Sequence, residues 1–269
     1  MAGRRTLEAR MCPSHATPRR PPARWPKRTD ALVRSIAARC RPVLQVELGD
    51  WIEAAPRFRA FVEANQDKIR KKLGSADAAS QLDVRSELLV ARLLLTDRRF
   101  ELAFEAYGAQ RLGPDLTVTY RANLRFNLEV TRLRAAPAAD PAAAETDQGV
   151  ARLANIVAGK LRQLPAEAPN GLVIVTSGLA LEEAVLGEAT RLLKQHNDHR
   201  DDVFFARRGF RDARDFYAQY LRLSGIFALD EGPTGRRASF AANREARHPL
   251  SSEVLGRLIS CLDAPAALT

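Results

Sequence analysis

Gly113-Pro-Asp-Leu-Thr-Val-Thr-Tyr120 and Leu124-Arg-Phe-Asn-Leu-Glu-Val-Thr131 are two short runs joined by Arg121-Ala-Asn123, and their alternation decides the fold class. In the first, Leu116, Val118 and Tyr120 point one way while Asp115, Thr117 and Thr119 point the other. In the second, Leu124, Phe126, Leu128 and Val130 turn inward and leave Arg125, Asn127, Glu129 and Thr131 on the opposite side. A period of two is the pattern of a half-buried strand, because successive side chains leave opposite faces of the pleat. The connecting residues can reverse the chain, so Asp115 and Glu129 meet above one face of a meander.

Working outward, Phe100-Glu-Leu-Ala-Phe-Glu-Ala-Tyr107 has the same alternation and reads as a preceding strand, with a turn over residues 108–113. Before it, Gln81 to Leu95 has no breaker and is apolar enough for a buried helix. Glu87 is the odd residue there, because its helical neighbours Asp83, Val84, Val90 and Ala91 form a largely apolar face. A buried carboxylate requires a partner: a metal-site group, Arg85, Arg92 or another basic side chain of the fold. After the meander, the Ala- and Pro-rich residues 135–147 read as a surface linker. Gln148 to Leu164 reads as a helix with Val150, Leu153, Val157 and Leu161 on one stripe, and Leu172-Val-Ile-Val-Thr176 as an interior strand covered on both faces. A strand, crossover helix and parallel strand form a right-handed unit. The expected fold is thus α/β, with an αβββαβ core around a mixed central sheet.

This order, with Glu87 on the first helix, Gly113-Pro114-Asp115 opening the second strand and Glu129-Val130-Thr131 on the third, resembles the PD-(D/E)XK, or restriction-endonuclease-like, nuclease superfamily. The resemblance covers roughly a third of the chain. It implies a phosphodiesterase acting on nucleic acid, with DNA ahead of RNA, and a magnesium or manganese ion held by Asp115 and Glu129 with Glu87 assisting. Such an ion wants hard oxygen ligands and stabilises charge on a phosphodiester under attack. The family's lysine, two residues beyond the second acid, is replaced here by Thr131, whose hydroxyl brings no positive charge.

Three residues could compensate. Arg125 lies on the same strand face as Glu129 but roughly 13 Å away along the strand. Arg132 should point to the opposite face. Lys160, on the following helix beside Ile156, Val157 and Leu164, can carry its ammonium to the site on a long stem, although such a lysine more often snorkels to solvent. Two readings follow: a metal-dependent nuclease using Glu87, Asp115, Glu129 and Lys160, or a non-catalytic relative that binds nucleic acid or a protein partner through the same cleft.

The rest of the chain is less specific. Of the net charge of +10, residues 1–29 carry eight basic groups against Glu8, so this Pro- and Arg-rich segment reads as a disordered tail, or as an overlong start preceding Met11 or a later codon. Residues 30–80 read as a helical segment packed on the core, capped by Thr29 or Asp30, with Trp51, Phe58, Phe61, Val62 and Ile69 facing inward. The run Asp67-Lys-Ile-Arg-Lys-Lys72 reads as a solvated helix end in preference to a phosphate contact.

Residues 81–269 form the main domain. Its last third is read as a helix over Leu179–Gln195, a short strand over Val203–Ala206, one long strand or a hairpin with its turn at Ser224-Gly225 over Phe216–Leu229, and a helix over Ser251–Leu262. His196 and His199 read as part of a polar loop rather than a metal pair, and Ser177 lacks the GxSxG frame of a nucleophile elbow. Arg207, Arg208, Arg211, Arg214, Arg236 and Arg237 can line a DNA path or simply sit in solvated loops. The three dispersed cysteines and the lack of a long apolar run point to a cytoplasmic protein with no membrane span. Oligomeric state stays open, a homodimer included.

Overall fold

In the computed structural model, which describes residues 24–107, 113–134, 147–232 and 235–263, six strands form one sheet in the order β1-β2-β3-β4-β5-β6. Strands β1 (Phe100–Phe104), β2 (Leu116–Tyr120) and β3 (Leu124–Arg132) make the antiparallel meander read from the alternation. Helix α6 (Asp147–Leu161) then crosses to β4 (Asn170–Thr176), which lies parallel to β3, and β5 (Leu223–Gly232) is parallel to β4. Strand β6 (Gly235–Ala242) closes the sheet antiparallel to β5. The fold is therefore α/β with a mixed open sheet and, among the described residues, ten helices.

Two apolar cores explain this layering. On one face, Phe126, Leu128, Val130, Val173, Val175 and Phe227 pack with the helical segment α1 (Lys27–Ala37), α2 (Pro42–Ala54), α3 (Pro56–Ala64) and α4 (Gln66–Leu73), and with α5 (Ala78–Leu94) and α10 (Ser252–Leu262). On the other, Leu172, Ile174, Ile226 and Ala228 pack with α6, α7 (Glu183–Asp198), α8 (Asp202–Ala206) and α9 (Ala213–Tyr220). Strand β4 serves both cores and is buried throughout, which is why its sequence is continuously apolar.

The N-terminal segment is helical as read, but α1 begins at Lys27 behind Pro26, and Thr29 is a buried side chain that donates to Glu53 at 2.6 Å rather than a cap. The five inward residues are buried on three helices, separated at Ala55-Pro56 and at Asn65, and not along one face. Strand β1 stops at Phe104 because Glu105 has φ 45°, a left-handed conformation that no ladder continues.

Two readings of the last third are corrected. Residues 202–206 are helix, because Asp201 caps them by accepting the Phe204 N–H at 2.9 Å. Phe216 and Tyr220 belong to α9, capped by Asp212, where their spacing of four stacks the rings at 5.7 Å. The expected turn at Ser224-Gly225 lies inside β5, and the edge strand β6 was not foreseen. Residues 1–23, Cys12 among them, residues 108–112 of the expected turn and residues 135–146 of the expected linker over 135–147 fall outside the described residues, and Asp147 already belongs to α6.

Candidate functional site

The site begins where β2 and β3 separate. Leu116 pairs with Leu128, so Asp115, one residue before β2, arrives opposite Glu129. There a side chain replaces the ladder: the Asp115 carboxylate accepts the backbone N–H of Val130 at 2.9 Å. Gly113 lets the chain enter at this point, since a Cβ there would stand 2.6 Å from the Cβ of Tyr107.

Glu129, only 1% exposed, projects from β3 toward α6. The Nζ of Lys160 donates to its Oε1 at 2.7 Å, so this lysine reaches the site rather than solvent. The amide of Gln163, oriented with its nitrogen toward Glu129, donates to the same carboxylate.

Glu87 finds a partner that the sequence reading did not name. Arg85 instead pairs with Glu47 and Glu231, and Arg92 lies over the ring of Trp51. The Nζ of Lys72, in the last turn of α4, donates to Glu87 at 2.6 Å and to Asp115 at 3.3 Å, and stands 3.2 Å from Glu105. It also lies 5.1 Å from the centre of the Phe104 ring. The run 67–72 is thus not uniformly a solvated end. One turn earlier on the same helix face, Lys68 donates to the carbonyls of Phe104 and Glu105 at 2.6 and 3.2 Å and fastens α4 to the end of β1.

Four carboxylates, Glu87, Glu105, Asp115 and Glu129, therefore surround two ammonium groups, Lys72 and Lys160. With all six ionised, two negative charges are left over. Burial first, and the charge of Asp115 second, push Glu87 up to about 8 against the opposing pull of Lys72. The same two causes push Glu129 up to about 7 against Lys160. Both lysines are held above the usual ammonium range by these carboxylates, in spite of burial.

Among the described residues, no three His, Cys, Asp or Glu side chains gather into a group that could hold a metal ion. Ammonium groups stand between the acids instead. The donors are nevertheless all hard oxygens with an excess of negative charge, and Lys72 already bridges Glu87 and Asp115 as a cation. Carboxylate oxygens are the donor type that magnesium takes, one or two at a time with several waters kept, and such an ion could enter here only by displacing an ammonium group.

Thr131 is half-buried and lies two residues along from Glu129 on the same face of β3. Arg125 is exposed at the far end of that strand, and Arg132 turns to the other side to meet Asp83 on α5 at 3.2 Å. His196 is not in a loop: it lies in the last turn of α7, 2.9 Å from Asp201 and stacked on Phe204, while His199 caps that helix. Arg208 covers the other face of Phe204 with its guanidinium carbon 3.4 Å from the ring centre, whereas Arg236 and Arg237 lie on β6.

Comparison with family models, curated proteins and solved structures returns no match. The residues themselves carry the functional argument.

Three participants escaped the sequence reading. Lys72 sits in a charged run, Glu105 in the polar half of an alternating strand, and Gln163 just beyond the end of a helix. The spacing of four puts Lys68 and Lys72 on one face of α4, but it does not say what that face meets.

Among the described residues no helix is long and apolar enough to cross a membrane.

Proposed function

We propose that this chain is a PD-(D/E)XK-type, metal-dependent phosphodiesterase acting on nucleic acid, with DNA as the first substrate to test. The observation that carries the proposal is the pairing of Lys160 with Glu129 at 2.7 Å, opposite Asp115. A cationic side chain thereby reaches the second motif acid from a neighbouring element, although the motif position itself holds Thr131. The element order α5-β1-β2-β3-α6-β4 supports the restriction-endonuclease-like reading.

In this reading Asp115, Glu87 and Glu129 would hold magnesium or manganese, which when bound supplies charge stabilisation to a phosphodiester. Lys160 orients Glu129 and keeps a positive charge beside the Thr131 position. The Thr131 hydroxyl can hold one water by a hydrogen bond. The Val130 N–H fixes the rotamer of Asp115. Four carboxylates against the two ammonium groups of Lys72 and Lys160 leave an excess of negative charge, which favours uptake of a further cation.

The second reading, a non-catalytic relative that binds nucleic acid or a protein partner, is favoured by Thr131 itself. A panel of supercoiled, linear, branched and single-stranded DNA and of RNA, with magnesium or manganese, separates the two. Cleavage by the wild type that disappears in Glu129→Ala supports the nuclease. Cleavage gained only in Thr131→Lys supports the lapsed relative, and cleavage that survives Glu129→Ala overturns the site.

A further inference from the structure

The Lys72 ammonium touches Glu87, Asp115 and Glu105, whereas Lys160 touches Glu129. The two lysines therefore stand in different places. Lys160 flanks the cluster from α6. Lys72 enters between two of the three acids assigned above to the metal, and its side chain is only 23% exposed.

Its position is over-determined. Lys68 anchors α4 to the Phe104 and Glu105 carbonyls, the Phe104 ring lies beneath the Lys72 ammonium, and Glu105 reaches it from a backbone of φ 45°. A residue outside glycine held in the left-handed region requires support from its surroundings. The Glu105 N–H bond to the Asp115 carbonyl at 2.9 Å is part of that support.

We infer that Lys72 is a resident counter-ion of the site, whose ammonium occupies the ground between Glu87 and Asp115 that a divalent cation would share. This rests on the metal-site reading above. The lone pairs of Glu87 and Asp115 that face Lys72 cannot serve both cations, so metal entry displaces the ammonium. Lys72 is then a positioning residue. It holds the acids together when no metal is bound, sets the threshold metal concentration, and couples the seating of α4 to metal occupancy.

The test is calorimetric titration of the full chain with manganese chloride, comparing wild type, Lys72→Met and Lys72→Arg. Lys72→Met should bind about tenfold more tightly than wild type or better, because no ammonium has to leave. Lys72→Arg, which keeps a charge, should stay near wild type. Equal or weaker binding by Lys72→Met, with the wild type binding normally, overturns this inference and leaves the metal site standing. Binding by neither protein overturns both.

If Lys72→Met does not fold without metal, the wild type alone decides through hydrogen exchange. Saturating manganese should speed amide exchange in the last turn of α4, and unchanged or slowed exchange there overturns the inference.

Discussion

The Nζ of Lys160 on α6 lies 2.7 Å from Oε1 of Glu129 on β3, a carboxylate whose side chain is 1% exposed. This pair joins the crossover helix to the strand it returns beside. Removing one partner of a buried pair leaves the other charge without compensation, at a typical cost of about 3 kcal/mol or more. Lys160→Met should therefore destabilise the protein by about 3 kcal/mol at pH 8. The cost should shrink to below about 1 kcal/mol near pH 5, where Glu129 takes up a proton. Urea denaturation at the two pH values measures it, and Lys160→Met combined with Glu129→Gln should recover most of the loss at pH 8. A loss that does not change with pH would contradict an uncompensated Glu129 as its cause.

Stability of the wild type should fall as pH rises. Glu129 and Glu87 are raised from 4.5 to about 7 and about 8, so across this window the folded state binds more protons than the unfolded one. Under linkage that means maximal benefit below about 4.5, and progressive loss up to about 8. The two lysines have raised values too, but their contribution is complete below the ordinary lysine value of 10.5 and does not bend this window. Thermal midpoints between pH 5 and 8.5 should decline in the wild type, and less steeply in Glu129→Gln. A rise with pH would reverse the assigned sign.

How much of this was legible follows from the range of the interactions. Strands β2 and β3 are self-announcing, because alternation is a local signal. Glu87 was conspicuous because a helix face records burial, and Lys160 because its stem lies at the edge of an apolar stripe. Lys72 was not legible: its contact with Asp115 spans 43 residues, and a lysine in a charged run has the same local pattern whether it faces water or a carboxylate. The run Val203-Phe-Phe-Ala206 is apolar in a way that suits strand or helix, and only the capping carboxylate of Asp201 decides between them. The edge strand β6 carries Arg236, Arg237 and Ser239, and it forms through pairing with β5 more than through its own alternation.

Asn170, fully buried at the start of β4, ties three parallel strands together at one end. Its amide nitrogen shares two N–H groups among the carbonyls of Pro165, Ala168 and Arg222, 2.8, 2.7 and 2.9 Å away, and its oxygen accepts from Asn127 at 3.0 Å. Asn170→Ala strands several buried polar groups at once, so a loss of about 3 kcal/mol or more is expected. Asn170→Asp retains the acceptor for Asn127 but turns a carboxylate oxygen toward carbonyls. It should be at least as damaging by guanidinium denaturation at pH 7, and a benign Asn170→Asp would refute this account of the network.

Arg57 protects the free edge of the sheet. Among the described residues strand β1 has a neighbour only in β2, and the guanidinium of Arg57 on α3 donates to the carbonyls of Leu95, Asp97 and Phe100 at 2.9, 2.7 and 2.6 Å. Charge-assisted hydrogen bonds to half-buried carbonyls contribute more than neutral ones, and their loss leaves acceptors on an edge open to another chain. Arg57→Met keeps most of the stem and removes the fork. It should cost about 2–3 kcal/mol and raise light scattering during refolding. Arg57→Lys restores a donor without the planar geometry, so it should recover only part of the stability. If Arg57→Met matches the wild type in urea and in scattering, the edge is protected by packing alone, and the three carbonyl contacts contribute nothing to it.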